Sequence, residues 1–173
     1  MKRLLIPAAA TAAAMLVLSP ALSQTSALKG HNGNAPIDFA ADRIEVQDRA
    51  DRAIISGNVV ATQAELTLRA ARITVLYADT GGIKIQRIDA SGGVSITSPS
   101  EKARGDFGIY DLESRLITLI GGVTLVRGEN EVKGGRLVLD LETGRAVMDG
   151  AGPAGTRSEG GRVTGTFTVP QRN

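Results

Sequence analysis

From Ile37 onward, apolar and polar residues alternate with a period of two. Arg43-Ile44-Glu45-Val46, Glu65-Leu66-Thr67-Leu68-Arg69, Arg72-Ile73-Thr74-Val75, Ile83-Lys84-Ile85-Gln86 and Arg136-Leu137-Val138-Leu139-Asp140 carry it most plainly. Successive side chains of a strand point to opposite faces, so this spacing gives one apolar and one polar face. Asp79-Thr80-Gly81-Gly82, Ser98-Pro99-Ser100, Gly128-Glu129-Asn130 and Glu142-Thr143-Gly144 are turn sequences between these runs. No later segment of ten or more residues shows a helical stripe. The predicted fold class is all-β.

A second series of small residues falls inside the strands: Gly57, Ala70-Ala71, Gly92-Gly93, Gly105, Gly121-Gly122, Gly134-Gly135 and Gly150. Most steps are 13 to 16 residues, with one longer step across the loop at Asp79–Gly82, so two steps make a repeat of about 30 residues. Ile55-Ser56-Gly57-Asn58-Val59, Ala90-Ser91-Gly92-Gly93-Val94 and Leu119-Ile120-Gly121-Gly122-Val123 echo one another. Near these residues the apolar parity changes. It goes from Leu66 and Leu68 to Ile73 and Val75, and from Ile83 and Ile85 to Ile88, Val94 and Ile96. It also goes from Phe107 and Ile109 to Tyr110 and Leu112, and from Val132 to Leu137, Leu139 and Leu141. A strand that changes parity keeps its apolar face inward only by bulging or turning a corner. The pattern predicts repeated, bent antiparallel strands forming a V-shaped or rolled structure with two facing walls lined by Ile, Leu and Val.

The first 23 residues read differently. Met1-Lys2-Arg3 precedes an apolar run from Leu4 to Leu18, and Ser19-Pro20 and Ala21-Leu22-Ser23 follow. This is the layout of a secretory signal peptide, expected to be cleaved after Ser23, with Ala27 as a second candidate site. The run is short for a membrane span. Of 20 Lys and Arg, two leave with residues 1–23 and no acid does, so the remainder balances 18 against 18. Charges of both signs are interspersed without a basic cluster, which argues against nucleic acid. Residues 24–36 are predicted to be a flexible leader, 37–150 the β domain, and 151–173 a flexible linker with a terminal edge strand in Arg162–Val169.

The chain has no Cys, one His (His31), no Trp and five Phe and Tyr together. Disulfide scaffolds and thiolate chemistry are excluded, and a Ser-His-Asp triad and a His-rich metal site are disfavoured. Asp42, Asp89, Asp106, Asp111, Asp140 and Asp149 are scattered over strand ends and turns, as on a solvated face. The glycine pairs precede no helix and no Gly-Lys-Ser/Thr, so they form no phosphate loop. The expectation is no catalytic constellation, no metal and no cofactor. Two readings of the interior stand side by side: an ordinary aliphatic core, or a loosely filled roll that holds an elongated apolar ligand.

Several segments resemble a known family. Pro36-Ile37-Asp38-Phe39-Ala40-Ala41-Asp42 resembles the start of its mature domain, and Ile55-Ser56-Gly57-Asn58-Val59 with Gln63 its "TGNV…Q" element. Leu66-Thr67-Leu68-Arg69-Ala70-Ala71 resembles its "L-x-I-x-A-D" element, with Arg72 where an acid is usual. Ala103-x-Gly105 leading to Tyr110-Asp111, and Val132-x-Gly134 leading to Leu139-Asp140-Leu141, match its later repeats. The family is that of the periplasmic lipopolysaccharide-transport protein LptA, with its OstA-like domain, and the match spans about residues 36–150.

The resemblance implies an OstA-like β-jellyroll, open at both ends, whose interior receives the acyl chains of lipopolysaccharide without altering them. It implies end-to-end stacking with an LptC-like inner-membrane protein, an LptD-like outer-membrane protein and copies of itself. Ile37, Phe39, Ile96, Tyr110 and Leu112 fall where lipid-facing side chains are expected, and Ile37–Val46 would be the edge facing the LptC-like partner. The alternatives are an LptC-like component of the same machine or an exported β-helix enzyme acting on polysaccharide. A small outer-membrane barrel is disfavoured by too few aromatics for two girdles.

Overall fold

The computed structural model describes residues 31–79, 81–156 and 160–168. The expected signal peptide, the leader up to Gly30 and the final Val169–Asn173 lie outside them. Among the described residues ten strands form one antiparallel sheet. They are β1 (Ile37–Ala40), β2 (Arg43–Gln47), β3 (Arg52–Gln63), β4 (Leu66–Asp79), β5 (Ile83–Thr97), β6 (Glu101–Asp111), β7 (Leu116–Arg127), β8 (Asn130–Asp140), β9 (Ala146–Asp149) and β10 (Thr164–Thr166). The six long strands β3 to β8 pair in sequence order, the meander that short turns between alternating segments dictate.

Each margin of the sheet is a broken strand. β1 pairs with the end of β3 (Ile37 opposite Gln63) and β2 with its beginning (Ile44 opposite Ile55). At the far margin β9 pairs with the second half of β8 (Met148 opposite Leu137) and β10 with the first (Gly165 opposite Val132). β1 and β2 thus form one margin and β9 and β10 the other; of the segment expected as a terminal edge strand, Thr164–Thr166 is strand and Val169 lies outside the described residues.

A line of register shifts crosses the sheet at its middle and bends it. Between Ser56 and Val59, β3 advances three residues while β4 advances two, from Arg72 to Ala70. β5 takes four steps from Ser91 to Ser95 against three on β4, and β7 takes four from Ile120 to Thr124 against three on β6. The extra residue thus sits on β3, β5 and β7, where Gly57, Gly92–Gly93 and Gly121–Gly122 adopt positive φ. Those strands keep their inward parity across the corner: Ile55 and Val59, Ala90 and Val94, Leu119 and Val123 are all buried. β4, β6 and β8 carry no extra residue there and change parity instead, from Ala70 to Ile73, from Ala103 to Tyr110, and from Gly134 to Leu137.

The change in β4 and β8 follows the sequence pattern. Two details do not. In β6 the switch comes at Gly105–Asp106, so Phe107, expected inward, is 49% exposed. In β5 the parity change lies at Gln86, the extra residue between Leu76–Arg87 and Tyr77–Ile85, rather than at the glycine pair. Ile83, before that shift, points to solvent at 73% exposure.

Bending lays one half of the sheet over the other. Val59, Leu68, Val94, Ile96 and Val123 from one wall and Ile73, Ile88, Ile117, Leu119 and Leu137 from the other form a single buried cluster. Ile73, Leu119 and Leu137 are fully buried. Through its middle the two walls meet through these aliphatic side chains.

Candidate functional site

The walls leave a cavity at each margin. Beside the first margin lies a space of only about 20 Å³ between Ile37, Ala61, Leu66 and Leu68 on one wall and Ile88, Tyr110 and Ile117 on the other. Beside the last margin a cleft of about 220 Å³ opens between Leu125, Val132 and Arg127 on one wall and Leu137, Ala146 and Met148 on the other. Phe167 flanks this cleft at 63% exposure, and Thr168 N–H donates to Asn130 Oδ1 at 2.9 Å close by.

All five residues singled out from the sequence belong to the interior. Ile96 and Tyr110 are buried in the cluster, and Ile37, Phe39 and Leu112 pack against it half-covered. Arg69 and Lys133 face outward, as strand parity requires. Burial raises the Tyr110 hydroxyl above its usual pKa, with Arg115 acting in the opposite direction.

Gln63 is the polar residue that strand periodicity leaves on the inward face, in phase with Val59 and Ala61, and it is only 4% exposed. Its Nε2 donates to the carbonyls of Gly33 (3.0 Å) and Ala35 (2.9 Å). Its Oε1 accepts the Tyr110 hydroxyl at 3.1 Å and the His31 Nε2–H at 3.0 Å. Two donors and two acceptor lone pairs are thereby all used, which makes a buried carboxamide tolerable. His31 is tied to the domain through this group.

A second buried polar group, Glu101, pairs with Arg127 at the rim of the larger cleft. Sequence reasoning missed both Gln63's contacts and this pair. Among the described residues no group of three or more His, Asp or Glu is placed to hold a metal.

The family model described as the LptA/(LptD N-terminal domain) LPS transport protein matches residues 38–145. The chain belongs to this family. Its matched segment runs from β1 to the turn before β9, so it contains the whole bent sheet except β9 and β10. An uncharacterized protein of Rhizobium meliloti (strain 1021) is 35% identical over 150 residues, covering 80% of this chain and 81% of the relative. The crystal structure of LptH, described as the LptA-homologous periplasmic component of the lipopolysaccharide transport device of Pseudomonas aeruginosa, matches in fold. Its TM-score is 0.72 at 19% identity, covering 80% of this chain and 99% of LptH. The roll is therefore the LptA-type jellyroll.

Proposed function

We propose that this protein is a periplasmic bridge that carries lipopolysaccharide toward the outer membrane, holding its acyl chains between the two walls. The observation that carries this reading is the single apolar cluster running from one margin to the other, with a cleft of about 220 Å³ opening at the last margin. Each methylene withdrawn from water contributes about 0.8 kcal/mol, so acyl chains favour such an interior over the aqueous phase. An engineered apolar cavity of about 150 Å³ accepts a benzene-sized guest; the cleft thus accepts part of one acyl chain, and the walls part along their hinge of bulges to accept more.

In this reading Ile37, Phe39, Ile96, Tyr110 and Leu112 contact the lipid. Residues 1–23 export the chain and are removed near Ser23, and 24–36 and 151–173 are leader and linker around the 37–150 domain. The unpaired sides of β1–β2 and β9–β10 dock onto LptC-like and LptD-like partners or further copies by strand addition. The lipid is moved without covalent change, so no catalytic residue is required.

A photo-crosslinker at Tyr110 or Leu112 is expected to capture lipopolysaccharide, while one at the outward Arg69 or Lys133 is not. Equal labelling at all four positions overturns the assignment. The mass of the protein recovered from periplasm separates this reading from an anchored LptC-like role: loss of about the first 23 residues supports the bridge.

A further inference from the structure

We propose that His31–Pro36 is a strap that closes the first margin of the roll, latched by Gln63, and that acyl chains pass this end only when the latch opens. The proposal rests on the acyl-carrying function above and assigns a gate to one end of it.

The two ends differ sharply. The space at the first margin is about 20 Å³, room for about one water. The cleft at the last margin is about 220 Å³. The strap touches two residues that line the smaller space: Gln63 bonds to its carbonyls, and a Cβ on Gly33 would lie 3.5 Å from the Tyr110 hydroxyl.

What holds the strap is unlike what holds the sheet. Residues 31–36 belong to no strand. Their own backbone bonds close small turns, with Gly33 N–H donating to His31 at 2.9 Å and Ala35 N–H to Asn32 at 3.0 Å. Attachment to the domain runs through the Gln63 carboxamide, which grips two strap carbonyls and the His31 ring while accepting the Tyr110 hydroxyl. Releasing it does not break the sheet. It exposes Ile37 and Tyr110 beneath, and an arriving acyl chain covers them again. Closed and open forms are then two states of one chain, and apparent affinity at this end is reduced by the fraction that is open.

The test uses the exported, processed protein and a dansyl-labelled medium-chain fatty acid as probe. Gln63→Leu keeps side-chain bulk and removes all four latch bonds; His31→Ala removes one and leaves the core untouched. NMR relaxation dispersion of the Gly33 and Ala35 signals reads the exchange between closed and open strap, and stopped-flow fluorescence reads probe uptake. Loss of one hydrogen bond shifts the opening equilibrium by on the order of fivefold. His31→Ala is therefore expected to speed both exchange and uptake by about that factor, and Gln63→Leu by more.

Exchange unchanged in both variants overturns the latch. Faster exchange with unchanged uptake overturns the gate while leaving acyl binding intact. Uptake by none of the three proteins overturns the acyl-carrying function itself, a result distinct from the other two.

Discussion

The methyl group of Ala71 occupies the place where a side chain on Gly92 would begin: a Cβ built on Gly92 lies 2.6 Å from Ala71 Cβ. Ala71 is on β4 and Gly92 on β5, so this contact sits on the line where the sheet bends. Asp106 stands over Gly121 in the same way one hairpin later, its Oδ2 2.6 Å from the corresponding point. The corner closes because one strand supplies a short side chain and its neighbour none.

Gly92→Ala meets both a positive φ of 83° and the Ala71 methyl, whereas Gly93→Ala meets a φ of 80° and open space. Left-handed backbone costs a non-glycine residue roughly 1–2 kcal/mol, and overpacking adds roughly 1–3. Urea unfolding should give a loss of about 2–5 kcal/mol for Gly92→Ala and about 1–2 for Gly93→Ala. The second substitution Ala71→Gly should recover part of the difference. Equal losses in the two single variants would refute the steric account.

Leu137 is 0% exposed where the cluster meets the larger cleft, and Ile83 is 73% exposed. Leu137→Ala leaves a cavity and should cost roughly 2–5 kcal/mol. Ile83→Ala should cost under about 1 kcal/mol, a strand-propensity effect. Comparable melting-temperature losses would mean that Ile83 is covered in solution.

Glu101 is nearly sealed from solvent beside Arg127, whose side chain is 26% exposed and whose Nε is buried without a hydrogen-bond partner. Removing the cation exposes the carboxylate to a large desolvation penalty, so Arg127→Met should destabilise by about 3–5 kcal/mol. The double variant Glu101→Gln/Arg127→Met should lose less than Arg127→Met alone. A double-mutant cycle with no coupling would show that the two side chains act independently.

Two exposed carboxylates brace hairpin turns. Asp111 accepts Ser114 N–H at 2.8 Å, and Asp140 accepts Glu142 N–H at 2.9 Å and Thr143 N–H at 3.0 Å. These bonds, chiefly those from Ser114 and Thr143, hold both carboxyls below the usual range. A lowered folded-state pKa stabilises fully above about pH 4 and is lost as pH falls through the folded value. Stability should therefore drop on acidification below about pH 4, and less steeply in Asp111→Ala/Asp140→Ala. Parallel pH profiles of wild type and variant would remove the turns from the explanation.

Alternation made the strands legible because each carries its two faces in its own residues: Leu66 and Leu68, or Leu137 and Leu139, are inward by parity alone, and both pairs are buried. The corners were legible too, since glycine and alanine inside a strand have few other uses. Period-two reading stops where coverage depends on a different wall. Phe107 and Ile83 are as apolar as Tyr110 and Ile88, yet the parity switch at Gly105–Asp106 puts Phe107, together with Ile109, on the outer face, and Ile83 is exposed although Ile85, in phase with it, packs against the core.

The candidate site was legible in part for the same reason. Ile96 and Tyr110 follow from parity, whereas the latch joins Gln63 to Tyr110 across 47 residues and to His31 across 32. Nothing local in a strand specifies such a partner. The chain's own alternation and in-strand small residues determined that it would be an all-β sheet bent at its middle. Laying one wall over the other decided how full the interior is, which margin is closed, and that a buried glutamine holds the closure. Hydrophobic periodicity is a property of neighbours along the chain, and packing is a property of neighbours across space.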